Sequence, residues 1–110
     1  MKTSIALKAL SALSQESRLA VFRLLVRNAP EGLSAGEIAG RADVLPATLS
    51  FHLKGLTAAG LIQPRQEGRF VIYSANLTAM TGLVGYLTEN CCGGKPCATV
   101  SEPSVSKRAA

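Results

Sequence analysis

Pro46-Ala47-Thr48-Leu49-Ser50-Phe51-His52-Leu53-Lys54-Gly55-Leu56-Thr57-Ala58-Ala59-Gly60 is the stretch whose reading decides the fold. Pro46 suits the first turn of a helix, where its missing N–H costs nothing. The pattern predicts a helix running to about Ala59 and stopping at Gly60. On a helical wheel Leu49, Leu53 and Leu56 define the buried face. Ala47, Ser50, Phe51 and Lys54 fall on the opposite face, with Thr48 and His52 flanking it. A leucine spine inward with short or hydrogen-bonding side chains outward is what a helix needs to enter a DNA major groove.

The residues before it supply the partner helix. Ser34 with Glu37 three positions on is a capping-box signature, opening a helix of about 34–42 with Ile38 and Ala39 inward. Asp43-Val44-Leu45 then makes a tight connection. Two helices joined this way, the second longer than three turns, describe a helix-turn-helix. The period changes after Gly60. Residues 61–66 and 69–74 read as two strands around a turn at Glu67-Gly68. Phe70, Ile72 and Ser74 share one face, Val71 and Tyr73 the other. Pro64 marks the first strand as an edge. A hairpin directly after a helix-turn-helix is a wing, so the expected fold is mainly α with a β-hairpin wing (α+β), a winged helix-turn-helix.

Three more helices complete the reading. Residues 4–13 carry Ile5, Leu7, Leu10 and Leu13. Ser14 is the expected N-cap of a helix over 15–28 with Leu19, Phe22, Leu25 and Val26 inward and Arg18, Arg23 and Arg27 mainly off that face. Asn28-Ala29-Pro30-Glu31-Gly32 breaks the chain. Asn76 or Thr78 opens a last helix over 77–90. Its apolar stripe, Leu77, Met80, Leu83, Val84 and Leu87, is read with Leu7 and Leu10 as a homodimer surface; closing the monomer core is the alternative.

Composition narrows the partners. The chain has 110 residues, Lys plus Arg 12 against Asp plus Glu 7, and a formal net charge of +5. That suits one domain with a modest core and an acidic partner, nucleic acid first among them. In such a complex Ala47 allows close approach to the groove floor. Thr48 and Ser50 bond base edges or phosphates, Phe51 packs on a thymine methyl, and Lys54 reaches a phosphate. His52 either contacts DNA or bonds within the fold. Arg65 and Arg69 flank the wing tip, for the minor groove or the backbone, unless they are simply solvated. Residues 1–90 are thus expected to form the DNA-binding and dimerisation domain.

All three cysteines lie in Cys91-Cys92-Gly93-Gly94-Lys95-Pro96-Cys97. Core cysteines would be scattered through the helices. No signal peptide or membrane span is evident, so a cytoplasmic location with reduced thiols is expected. Thiolates gathered with glycines and a proline are suited to a soft ion, and Lys95 favours the thiolate form. Residues 91–97 are therefore read as a sensor segment and 98–110, rich in Ser, Ala and Pro, as a disordered tail. A thiol redox switch competes with the ion site. An enzyme reading is weak, since there is no Cys-x-x-Cys on a βαβ pattern, no phosphate-cradling loop and no spaced acid/base pair. An architectural DNA-binding protein with incidental cysteines is the other alternative.

The run Ala47 to Leu56, followed by Ala59-Gly60-Leu61-Ile62 and Arg65-Gln66-Glu67-Gly68-Arg69-Phe70-Val71-Ile72-Tyr73, resembles the core of the ArsR/SmtB repressors. Leu13-Ser14-Gln15-Glu16-Ser17-Arg18-Leu19 resembles that family's opening segment. The resemblance covers about residues 5–90. It implies a homodimer that binds a near-palindromic double-stranded operator and leaves it when a metal or metalloid binds. The family's Cys-x-Cys motif has no counterpart in Gly36 to Ala42, and residues 77–90 lack the Asp and His of zinc-sensing members. Cys91, Cys92 and Cys97 after Tyr86-Leu87-Thr88-Glu89-Asn90 resemble instead a subgroup of arsenite responders. That implies As(III) as inducer on three thiolates, with no organic cofactor. Sb(III), a methylated trivalent arsenical, cadmium or lead are further candidates.

Overall fold

Helix α2 (Glu16–Arg27) lies at the centre of the packing, in contact with α1 (Thr3–Leu13), α3 (Ala35–Ala42), α4 (Pro46–Ala58) and the strand β3 (Phe70–Ala75). The computed structural model describes residues 1–94. Neighbours on several sides demand a broad apolar face, and Val21, Phe22, Leu24 and Leu25 supply it. This differs from the expected stripe: Phe22 and Leu25 are buried, but Leu19 is 42% exposed and Val26 only half-buried. The i, i+3, i+6, i+7 pattern rotates the face away from Val21, which has no exposed surface. The cap also differs. Gln15 is the N-cap of α2, its side chain accepting from the Arg18 N–H at 2.8 Å, while Ser14 Oγ donates to the Ser11 carbonyl and closes α1.

Helix α1 turns its alanines inward. Ala6, Ala9 and Ala12 are buried, and Ile5, Leu7 and Leu10 are exposed. A face of methyl groups lets α1 approach α2 and α4 closely and leaves its larger side chains outside.

The sheet has the order β1-β3-β2, with β1 at Leu33–Ser34 and β2 at Ile62–Glu67. Strand β2 is an edge, as Pro64 requires. Strand β1 is absent from the sequence reading, because two residues carry no period. It pairs antiparallel with β3, Leu33 opposite Tyr73 and Ser34 opposite Ile72. This pairing needs Gly32, whose φ is +85° and where a Cβ would run into the Tyr73 carbonyl oxygen. The hairpin turn lies one residue later than expected: Glu67 pairs with Phe70, leaving Gly68-Arg69 as the loop. Gly68 has φ +61°, which fits the first central position of a two-residue hairpin loop.

Helix α5 (Leu77–Leu87) starts at Asn76, whose side chain accepts from the Ala79 N–H at 3.1 Å and donates to the Gly60 carbonyl. Its apolar stripe divides. Leu83 is buried, and Met80 and Tyr86 pack half-buried on the core, so these positions close the monomer. Leu83 and Met80, expected at a dimer surface, are corrected on that ground: the first is buried and the second packs on the core of the monomer. Leu77, Val84 and Leu87 remain exposed, as do Leu7 and Leu10. Thr3 Oγ1 and Tyr86 Oη, 2.6 Å apart, tie α1 to α5. The helix ends at Leu87, short of the expected 90, and a 3₁₀ turn over Cys91–Gly94 follows.

Leu25 is fully buried at this centre. Leu25→Ala is expected to cost about 2–5 kcal/mol of stability in urea denaturation, against about 1 kcal/mol for removing the Ser34 cap with Ser34→Ala. Equal losses would show that α2 is not the centre of the core.

Candidate nucleic-acid interface and cysteine segment

Local chemistry fixes how α3 presents α4. Ser34 Oγ accepts from the Glu37 N–H while Glu37 Oε1 accepts from the Ser34 N–H, which completes the capping box. These bonds from the Ser34 backbone and hydroxyl hold the Glu37 carboxyl below its ordinary pKa. Asp43, at the end of α3, takes a left-handed conformation with φ 55°. The chain turns there, and Pro46 starts α4 two residues beyond the half-buried Val44.

Helix α4 buries Leu49, Leu53 and Leu56 and exposes Ala47, Thr48, Ser50, Phe51 and Lys54. Phe51 is 64% exposed, a large apolar ring facing water on a positively charged chain. Between α4 and the wing runs a cleft of about 450 Å³ lined by Ser50, Leu53, Lys54, Thr57, Ala58, Pro64 and Tyr73. Ser50, Lys54 and Thr57 follow an i, i+4, i+7 row, so Thr57 is findable on the helical wheel. Tyr73 reads in sequence only as a strand residue, and its place in the cleft depends on the sheet's position against α4. A cation and three hydroxyls along one cleft form a surface that can hold a phosphodiester backbone.

One expected DNA contact lies inside the fold, and another is engaged by its neighbours on the wing. His52 is buried, 6% exposed, and its Nδ1 accepts from Arg18 Nε at 3.2 Å. Burial first, and then the Arg18 charge, lower its pKa from the ordinary 6.5. His52 is therefore a packing and hydrogen-bonding residue of the fold, and its assignment to the DNA face is corrected. Arg65 does not project freely. Its Nε donates to Glu67 Oε2 at 2.7 Å and its Nη2 to the Glu31 carbonyl at 2.8 Å. Arg69 lies in the tip loop itself, steadied by a bond from Gln66 Nε2 to the Gly68 carbonyl.

Beyond α5, Thr88, Glu89 and Asn90 separate Leu87 from Cys91, so the cysteines do not end the helix as expected. Cys91 is half-buried, with its Sγ 3.7 Å from Cys92 Sγ. Cys92 has φ 57° and is disulfide-bonded. Cys97 lies outside the described residues, as do residues 98–110. Among the described residues no three His, Cys, Asp or Glu side chains gather as a metal site, and no helix is long and apolar enough to cross a membrane.

Residues 13–65 match the helix-turn-helix domain family, a range that contains α2 through α4. The chain is 40% identical over 77 residues to YceK of Bacillus subtilis, described as an uncharacterized HTH-type transcriptional regulator; the match spans 69% of this chain and 76% of that protein. An ArsR-like transcriptional regulator from Rhodococcus sp. RHA1 has a similar structure, with TM-score 0.71 and 22% identity over 97% of this chain and 93% of that one. A protein described as a possible transcriptional regulator for arsenical resistance aligns with TM-score 0.63 and 26% identity, over 73% of this chain and 80% of that one. The exposed face of α4, the wing beside it and these likenesses lead to one conclusion: the chain belongs to the helix-turn-helix transcriptional regulators that bind DNA, with the winged-helix fold of the ArsR type.

Proposed function

We propose that the chain is a homodimeric repressor that leaves its operator when As(III) is bound by the thiolates of Cys91, Cys92 and Cys97. The observation that carries this reading is the pair of sulfurs 3.7 Å apart just beyond α5, with the remaining cysteine of the chain close behind in sequence. At metal–sulfur bonds of about 2.3 Å, two sulfurs at that separation can share one thiophilic ion. Their backbone is suited to rearrangement: Cys92 and Gly93 already depart from helical φ, and Gly94 has φ +89°. The structural relative described as a possible regulator for arsenical resistance supports the choice of inducer.

Dimerisation follows from what the monomer leaves uncovered. Leu7, Leu10, Leu77, Val84 and Leu87 are exposed on α1 and α5, which touch each other. An apolar face shared by two terminal helices is suited to a second copy. Each subunit then offers one α4 to successive turns of the groove. Drawing the sulfurs together would remodel the segment after α5, next to the dimer face, and change the separation of the two recognition helices. A differential affinity of about 1–3 kcal/mol between the two arrangements is enough for release.

The disulfide at Cys92 favours a second reading, a thiol redox-responsive repressor. The arsenite reading needs that sulfur in its reduced form, so the two readings differ in what releases DNA.

Lys54→Gln is expected to weaken binding to all DNA sequences alike and to lower the salt-dependence slope by about 0.9 for each phosphate no longer neutralised. An unchanged slope would remove Lys54 from the interface. Fluorescence anisotropy on the promoter, titrated with arsenite under reducing conditions, tests the sensor. Release of the wild type, with Cys→Ser variants at 91, 92 and 97 staying bound, is the expected result. Release of those variants too would overturn the thiolate site. Release by peroxide alone, with arsenite inert, would select the redox reading.

A further inference from the structure

We infer that Arg18 is a positioning residue that sets the recognition helix and its Phe51 through neutral His52, so that protonation of His52 releases this latch and weakens DNA binding. The inference rests on the DNA-binding reading of α4. Its geometry spans three residues of that helix. Arg18 Nε donates to His52 Nδ1 at 3.2 Å. The Arg18 guanidinium also lies over the Phe51 ring, with Cζ 5.3 Å from the ring centroid. It rests on Gly55 as well, where Cζ stands 2.9 Å from the position a Cβ would take. A bare Cα at 55 is what makes room for the group. The Phe51 and His52 rings are themselves 6.0 Å apart and tilted by 59°.

The bond demands one protonation state. Arg18 has donors only, so Nδ1 must be unprotonated and the neutral ring carries its proton on Nε2. An imidazolium would place two cations in contact, with no acceptor between them. Among charged side chains of the described residues on the elements packed against α4, Arg18 is the one that acts on His52. Lys8 of α1 lines the groove beside Arg18, Glu37 is bound by Ser34, Arg65 and Glu67 are paired, and Arg41 is exposed on α3. Phe51 reaches the DNA face while its neighbour His52 reaches inward, so one guanidinium couples the core-facing ring to the exposed one.

The sign is set by the folded state favouring neutral His52. Its pKa lies below 6.5, so the latch is closed at neutral pH and opens as pH falls through that lowered value. Below it, each His52 in the complex costs up to about tenfold in affinity per pH unit.

His52 is the chain's only histidine, so its NMR titration is unambiguous. The latch predicts that the Phe51 ring resonances move with the same midpoint as His52 in the wild type, and that Arg18→Met reduces that response to what the neighbouring ring transmits directly and shifts the His52 midpoint. Phe51 signals indifferent to the His52 titration would overturn it, whether or not DNA is bound. In operator-binding anisotropy from pH 7.5 down through the His52 midpoint read by NMR, His52→Asn, which keeps an acceptor near Nδ1 but cannot take up a proton, should show a flat profile where wild-type affinity falls. A variant profile parallel to the wild type would also overturn the proposal. Circular dichroism and sedimentation over the same range check that fold and assembly are intact. Failure of folded wild-type protein to bind operator at neutral pH would count against the DNA reading alone, with the Phe51 titration still deciding the latch.

Discussion

The burial of Leu49, Leu53 and Leu56 is the constraint on which the rest of the molecule depends. These side chains give α4 a fixed rotation about its axis. Because α4 cannot roll without exposing leucine, Ala47, Thr48, Ser50, Phe51 and Lys54 are held outward. The core that receives the leucines is built by α1, α2, α3 and β2 together, and Val21 and Leu25 of α2 have no exposed surface. An outward face of polar and aromatic groups is therefore a consequence of packing on the other side of the same helix.

Polar links refine what the apolar core sets. The core resists rolling but allows small shifts along or about α4, since apolar packing carries little direction. Arg18 adds direction, with a hydrogen bond to His52 and a ring contact to Phe51. The wing is held in a comparable way. Arg65 joins Glu67 on its own strand to the Glu31 carbonyl in the loop before β1, tying the hairpin to the body of the domain. Restraint of this kind orders α4 and the wing in the free protein, which lowers the ordering cost of binding any ligand across that face.

The outer helices have a different character. Helices α1 and α5 use small or few residues to join the core: alanines on α1, and Leu83 with half-buried Met80 and Tyr86 on α5. Their larger apolar side chains remain outside. The cysteine segment begins just after this pair, separated from α5 by three polar residues. Under the proposed function, a chemical event at the sulfurs would act on a part of the fold that buries few of its own residues.

What the sequence by itself determined are the features that a few consecutive residues control. The capping box at Ser34, the proline start of α4, the inward leucines and the edge position of Pro64 are all legible, because each depends on backbone dihedrals or on helical period; the cap of α5 is narrowed only to Asn76 or Thr78. What only the tertiary structure decided are the features whose partners lie far along the chain. His52 reads as a flanking groove residue on the wheel, yet Arg18, 34 residues away, holds it inside. Arg65 reads as a free wing cation, yet it is engaged with Glu31, also 34 residues distant. Strand β1 exists only because β3 is beside it, and Leu83 is buried because α5 folds back onto the core of the monomer. The inward face of α1, and on α2 the places of Val21 and Leu24 beside the expected Phe22 and Leu25, escape the sequence reading for the same reason. Periodicity shows that a helix has an apolar side, but the number and placement of its neighbours decide which residues that side includes.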